Sequence, residues 1–183
     1  PRGGRCGASG AGGRGAGGGG KGMGGGDKGR RTLGGRTIMD YIVERVRPEV
    51  AVLLINANGD PGRFSGYGLP VIADVISDES GGFAGPLAGV LTGMEWAAAN
   101  QPQCSWVATF ACDAPFAPSD LVARFVAAVE EEGAAMACAA SRGRAHPVFG
   151  LWPVALAAEL RQAMSEDRKS TRLNFSHVLT SYA

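Results

Sequence analysis

Two short apolar runs constrain this chain more than any other feature. Residues 50–55 (Val-Ala-Val-Leu-Leu-Ile) are apolar throughout, and residues 105–110 (Ser-Trp-Val-Ala-Thr-Phe) are apolar at 106, 107, 108 and 110 rather than at alternate positions alone. A strand of that kind must be covered on both faces, as in a parallel sheet packed between helices. Helical patterns separate such runs. Ile38, Tyr41, Ile42 and Val46 recur at helical spacing until Pro48 stops them, and Pro86 opens a second pattern over residues 86–99. A third amphipathic stretch over residues 119–132 closes on Gly133, and a last helix is expected over residues 153–164. Residues 70–73 read as a short strand. Residues 134–139 and 148–152, separated by a Ser-Arg-Gly-Arg turn, read as strands that pair locally. Alternating strands and helices imply an α/β fold of three layers around a mostly parallel sheet.

At 183 residues the chain has room for one such domain. Its composition is uneven, because 18 of the 30 glycines lie in residues 1–35. Residues 1–15 have neither helical nor strand periodicity and read as a disordered segment. A net charge of +1 does not supply the field of a dedicated nucleic-acid binder. No apolar run reaches the roughly 20 residues that span a bilayer, and no apolar leader opens the chain, so a cytoplasmic protein is expected. Cys6, Cys104, Cys112 and Cys138 form no Cys-x-x-Cys pair, which favours small reduced thiols over a zinc site or a disulfide framework.

The chemistry-bearing residues follow the expected strands. Asn56 and Asn58 come after residues 50–55, Asp74 after residues 70–73, and Asp113 after residues 105–110. The carboxyl ends of parallel strands share one edge, where ligands bind. A carboxylate such as Asp113 can hold Mg2+ there against substrate phosphates, and its bland alternative is an Asx-turn opening Asp113-Ala114-Pro115. The segment Ala16-Gly17-Gly18-Gly19-Gly20-Lys21-Gly22-Met23-Gly24-Gly25-Gly26-Asp27-Lys28 can turn backbone N–H groups and lysine charge toward phosphates, or serve as a flexible linker. Gly85-Pro86-Leu87-Ala88-Gly89 opens a helix whose backbone could approach a base or ribose, with a tight loop-to-helix turn as the simpler explanation. His146 stands alone and offers little for Ser/His/Asp catalysis.

In order and spacing these residues resemble the MobA-type molybdenum cofactor guanylyltransferases over residues 16–166. That family opens with Leu-Ala-Gly-Gly, four residues, and Met-Gly-Gly-x-Asp-Lys, and here Ala16-Gly17-Gly18 and Met23-Gly24-Gly25-Gly26-Asp27-Lys28 keep the interval. The match runs on through Gly34-Gly35-Arg36-Thr37-Ile38, Ile55-Asn56-Ala57-Asn58, Val71-Ile72-Ala73-Asp74, Gly85-Pro86-Leu87-Ala88-Gly89, Cys112-Asp113-Ala114-Pro115 and His146-Pro147-Val148.

The resemblance implies a Rossmann-like nucleotidyltransferase that moves GMP from GTP to the terminal phosphate of Mo-molybdopterin. By it, Ala16, Gly17, Gly18, Lys21 and Lys28 contact the triphosphate, Asn56 and Asp74 help hold guanosine, and Asp113 binds Mg2+. Lys28 and Asp113 carry the catalytic roles. It also implies transient contact with molybdoenzymes or their chaperones, and no nucleic-acid or membrane partner. A cytidylyltransferase acting on the same pterin, a sugar-phosphate nucleotidyltransferase, and a non-catalytic nucleotide-binding module or inactive fragment are the alternatives.

Two departures matter. Gly15 stands where the family has leucine, and Lys21-Gly22 where it has an arginine pair. The apolar first strand that precedes the family's glycine loop has no apolar counterpart in residues 5–15, so that strand and the C-terminal elements are expected to be missing. Residues 1–15 are expected to be an out-of-frame segment, 16–166 the nucleotidyltransferase domain, and 167–183 an adapter-derived tail.

Overall fold

The structure is a computed structural model that describes residues 32–76 and 85–166 in full and residues 4–10 and 181–182 as backbone. Nine strands and four helices follow the chain among these residues: β1 (Gly4–Gly10), β2 (Thr32–Leu33), β3 (Arg36–Thr37), α1 (Ile38–Val46), β4 (Val52–Asn56), β5 (Val71–Ile72), α2 (Pro86–Asn100), β6 (Cys104–Ala111), α3 (Leu121–Glu132), β7 (Ala137–Ser141), β8 (Arg144–Pro153), α4 (Ala157–Glu166) and β9 (Ser181–Tyr182). Seven strands form one sheet in the order β5-β4-β1-β6-β8-β7-β9, and β2 pairs with β3 as a small ribbon. The neighbours β5, β4, β1 and β6 are parallel, while β8 runs antiparallel to both β6 and β7.

Each apolar strand feeds both layers, as its uninterrupted pattern requires. Leu53 and Ile55 of β4 pack with Met39, Ile42, Val43 and Val46 of α1, in a core that also takes in Phe125 of α3. Leu54, between them, joins Val90, Met94 and Ala97 of α2 on the other face, with Trp152 of β8. The Arg161–Glu95 ion pair fastens α4 to α2 on that second face. The three-layer α/β class is therefore as expected, and no helix of the described residues is long and apolar enough to cross a membrane.

One expectation is corrected. Gly4–Gly10 occupies the place held to be empty, between β4 and β6, and β9 pairs with β7 at the far edge. The ladder is made by backbone N–H and C=O groups, which glycine carries like any other residue. Apolar content therefore underestimates the pairing of a glycine-rich segment. A second correction concerns the cysteines. Cys112 and Cys138 are free and buried, whereas Cys104, at the start of β6, is disulfide-bonded.

Local chemistry sets the boundaries around the site. Thr37 caps α1 through a capping box, its hydroxyl accepting from the Asp40 N–H at 3.2 Å while the Asp40 carboxylate accepts from the Thr37 N–H at 2.8 Å. The Tyr67 hydroxyl closes this box by donating to Asp40 at 2.9 Å, with the Thr37 hydroxyl 2.8 Å away. Pro48 does end α1, but within a tighter 3-10 turn over Arg47–Glu49 rather than in open loop. The β7–β8 hairpin turns at Arg142 and Gly143, both at positive φ (50° and 72°), the backbone of a two-residue type I′ turn.

Candidate functional site

Register places the polar residues on one edge. Gly10, at the carboxyl end of β1, lies opposite Asn56 of β4 on one side and Ala111 of β6 on the other. Asn56 and the segment leading to Asp113 thus flank the same strand, about 10 Å apart by the spacing of adjacent strands. The glycine-rich stretch follows β1 in the chain. Its expected phosphate contacts, Ala16, Gly17, Gly18, Lys21 and Lys28, lie outside the described residues.

On the β4–β5 side the structure joins two of the expected residues through a third. The Asp74 carboxylate accepts from Asn56 Nδ2 at 3.0 Å and from Asn58 Nδ2 at 2.6 Å, one oxygen to each amide. Asn58 Oδ1 accepts in return from the Asp74 backbone N–H at 2.8 Å, so Asn58 holds Asp74 by both backbone and side chain. Asn58 itself is fixed through its carbonyl, which accepts from Arg63 at 2.6 Å. Asn56 is buried and also donates to the Ile72 carbonyl at 3.1 Å.

The start of α2 closes this corner. Gly85 takes φ 79° before Pro86, and a Cβ on Gly89 would meet Asn56 Oδ1 at 2.6 Å. The small residue thus admits the Asn56 side chain at a tight loop-to-helix turn, the simpler of the two readings of this segment. Thr92, fully buried on the next turn, accepts from the Val75 N–H at 3.0 Å and donates to the Ala88 carbonyl at 2.7 Å. Neither Thr92 nor the clamping role of Asn58 was signalled by spacing. Both act through backbone groups that only tertiary structure brings within reach.

On the β6 side, Asp113 is exposed in the turn after β6 and opens onto a cavity of about 690 Å3. Its walls come from the 113–118 turn, the start of α3 and the β7–β8 hairpin. They are mainly apolar, with Phe125 and Phe149 among them, and Phe116 stands 72% exposed on the wall. Arg124, Ser141 and His146 are the polar groups among these besides Asp113. Asp120 pairs with Arg124 at 2.9 Å, and Ser141 Oγ lies 2.8 Å from His146 Nε2. His146 is therefore not isolated as the sequence had it, because the tight hairpin returns it beside Ser141. Burial pushes the Cys138 thiol up, against a backbone hydrogen bond at His146 that lowers it, so the thiol stays protonated at neutral pH.

No three potential ligands cluster into a ready-made metal cage among the described residues. The exposed Asp113 carboxylate fits Mg2+ in the mode where one or two carboxylates share the ion with substrate phosphates. It does not fit a structural metal.

Parallel strands whose carboxyl ends gather amides and carboxylates into one edge define a three-layer α/β protein of the class whose ligands bind at that edge. The chain belongs to the MobA-like NTP transferase domain family, whose pattern matches residues 16–179. It is 50% identical over 144 residues to a molybdenum cofactor guanylyltransferase of Bradyrhizobium sp. (strain ORS 278), covering 78% of this chain and 66% of that protein. It is 49% identical over 137 residues to one of Rhodopseudomonas palustris (strain BisB5), covering 75% and 63%. The chain thus spans just under two thirds of the length of these relatives. In fold it is similar to molybdopterin-guanine dinucleotide biosynthesis protein A of Archaeoglobus fulgidus, with TM-score 0.67 at 15% identity, covering 97% of this chain and 82% of that one.

Proposed function

We propose that this protein transfers GMP from GTP to the terminal phosphate of Mo-molybdopterin, forming molybdopterin guanine dinucleotide and releasing pyrophosphate. The observation that carries the reading is the Asn56–Asp74–Asn58 cluster at the same strand edge as Asp113. The guanylyltransferase name of relatives at about half identity supports it. Asp74 offers carboxylate acceptors in a fixed orientation. The Watson–Crick edge of guanine presents two adjacent donors, N1–H and 2-NH2, that suit the paired oxygens of a carboxylate, whereas cytosine presents one donor, its 4-NH2, beside the N3 and O2 acceptors.

The reaction needs alignment and charge neutralisation rather than a protein nucleophile. An oxygen of the acceptor's phosphate forms the new bond to the α-phosphorus of GTP, and the bond to the β-phosphate oxygen breaks, its electron pair leaving with pyrophosphate. Lys21, Lys28 and the backbone of Ala16, Gly17 and Gly18 hold the triphosphate, and Asn56 and Asp74 hold guanosine. Asp113 holds Mg2+, which when bound neutralises charge on the phosphates. The cavity beside Asp113 receives the acceptor, its apolar walls suiting a planar heterocycle and its polar groups the phosphate.

The deciding experiment supplies the purified chain with Mo-molybdopterin, Mg2+ and either GTP or CTP, and follows pyrophosphate. Release with GTP well above that with CTP is expected. Preference for CTP would move the assignment to the cytidylyl reaction, and nucleotide binding without release would make the chain a non-catalytic module.

A further inference from the structure

The turn that carries Asp113 ends where α3 begins, and that helix is not capped by its own N-terminal residue. Asp120 occupies the N-cap position but makes no capping bond, its carboxylate being turned to Arg124. The orphan N–H groups of Val122 and Ala123 instead donate to Glu49 Oε2, at 3.1 and 3.2 Å, from more than seventy residues away in sequence. Four residues before Glu49, Arg45 donates to the Ala117 carbonyl at 3.2 Å, inside the same turn. One short segment, the last turn of α1 and the 3-10 turn after it, thus holds the 113–120 connection at Ala117 and the first turn of α3 that follows it. Plain helix capping would be done more cheaply by Asp120. Glu49 is half-buried, and burial together with the Asp120 charge raises its pKa against the two backbone donors.

We propose that Glu49 and Arg45 are positioning residues for the Asp113 turn, fixing the carboxylate that meets the cation and triphosphate and, by capping α3 in place of Asp120, leaving Asp120 to hold Arg124 on the cavity wall. The inference rests on the metal role given to Asp113 above. It adds that the geometry of that carboxylate is set from α1, across the core.

The test is Mn2+ binding in the presence of GTP, followed by electron paramagnetic resonance on the full chain. Glu49→Ala should weaken Mn2+ binding by about tenfold, the scale of losing a supporting contact around a metal ligand, while GTP binding measured in EDTA changes by less than about twofold. Glu49→Gln should restore most of the loss, because a single oxygen accepts both N–H groups and a carboxamide retains one. Arg45→Met should weaken Mn2+ binding by about threefold, and it carries the test if Glu49→Ala does not fold. Wild-type Mn2+ affinity in folded Glu49→Ala or Arg45→Met would overturn the brace while leaving the metal role intact. Glu49→Gln as weak as Glu49→Ala would overturn the capping mechanism. A wild-type protein that takes up no Mn2+ with GTP would overturn the metal role of Asp113 and the brace with it.

Discussion

Asn56 Oδ1 lies over Gly89 so closely that any side chain at residue 89 would meet it at 2.6 Å. Asn56 cannot swing aside freely, because it is buried and its amide already serves Ile72 and Asp74. Gly89→Ala should therefore lower stability by about 1–3 kcal/mol, the range for overpacking a tight interior, and displace Asn56 from Asp74. Urea unfolding reads the first effect and GTP titration the second. Wild-type values for both would show that α2 can shift to make room.

What was legible in the sequence tracks how local the determining physics is. The runs at residues 50–55 and 105–110 and the helical patterns around them disclosed the layers, because burial on two faces leaves a pattern within a few residues. The position of Asn56, Asp74 and Asp113 at one sheet edge was legible from their place after strands. The strand at Gly4–Gly10 was not, since backbone pairing leaves no trace in side-chain pattern. The Glu49 contact with α3 was equally hidden. It joins segments whose proximity arises only when α1 and α3 pack on the same face of the sheet.

If Asp113 holds the cation, removing its charge while keeping its shape should remove metal dependence from the reaction. Asp113→Asn should lower Mg2+-dependent guanylyl transfer by at least about 100-fold, with little change in thermal stability because the side chain is exposed. Pyrophosphate release at saturating Mg2+ is the measurement. Near-normal turnover would sink the assignment and point to a carboxylate elsewhere in the chain.

The Trp152 indole N–H donates to Thr109 Oγ1 at 2.9 Å, a buried bond between neighbouring antiparallel strands. Thr109→Val preserves shape but leaves that donor facing a methyl group. The loss should be about 1–3 kcal/mol, the cost of a buried unsatisfied donor, and thermal unfolding reads it. Thr109→Ser, which keeps the acceptor, should recover most of it. Loss in Thr109→Ser without loss in Thr109→Val would mean that packing of the Thr109 methyl, rather than the hydrogen bond, holds the pair together.

Asp40 gives the fold a dependence on acid that can be isolated. Burial raises its pKa, but hydrogen bonds from the Thr37 side chain, Tyr67 and the Thr37 backbone outweigh this, and the net position is below the ordinary 3.8. A carboxylate with a depressed folded pKa stabilises the fold above its unfolded pKa, and that contribution disappears as pH falls through the folded value. At pH 7, Asp40→Ala should cost about 1 kcal/mol through loss of the capping box. The gap between wild type and variant should stay constant down to about pH 4 and narrow below it, as protonation removes from the wild type the ionic share of what the variant already lacks. Urea midpoints between pH 7 and pH 2.5 measure it. A gap that widens with acid would mean that Asp40 is held neutral in the folded protein and that Tyr67 accepts from it rather than donating.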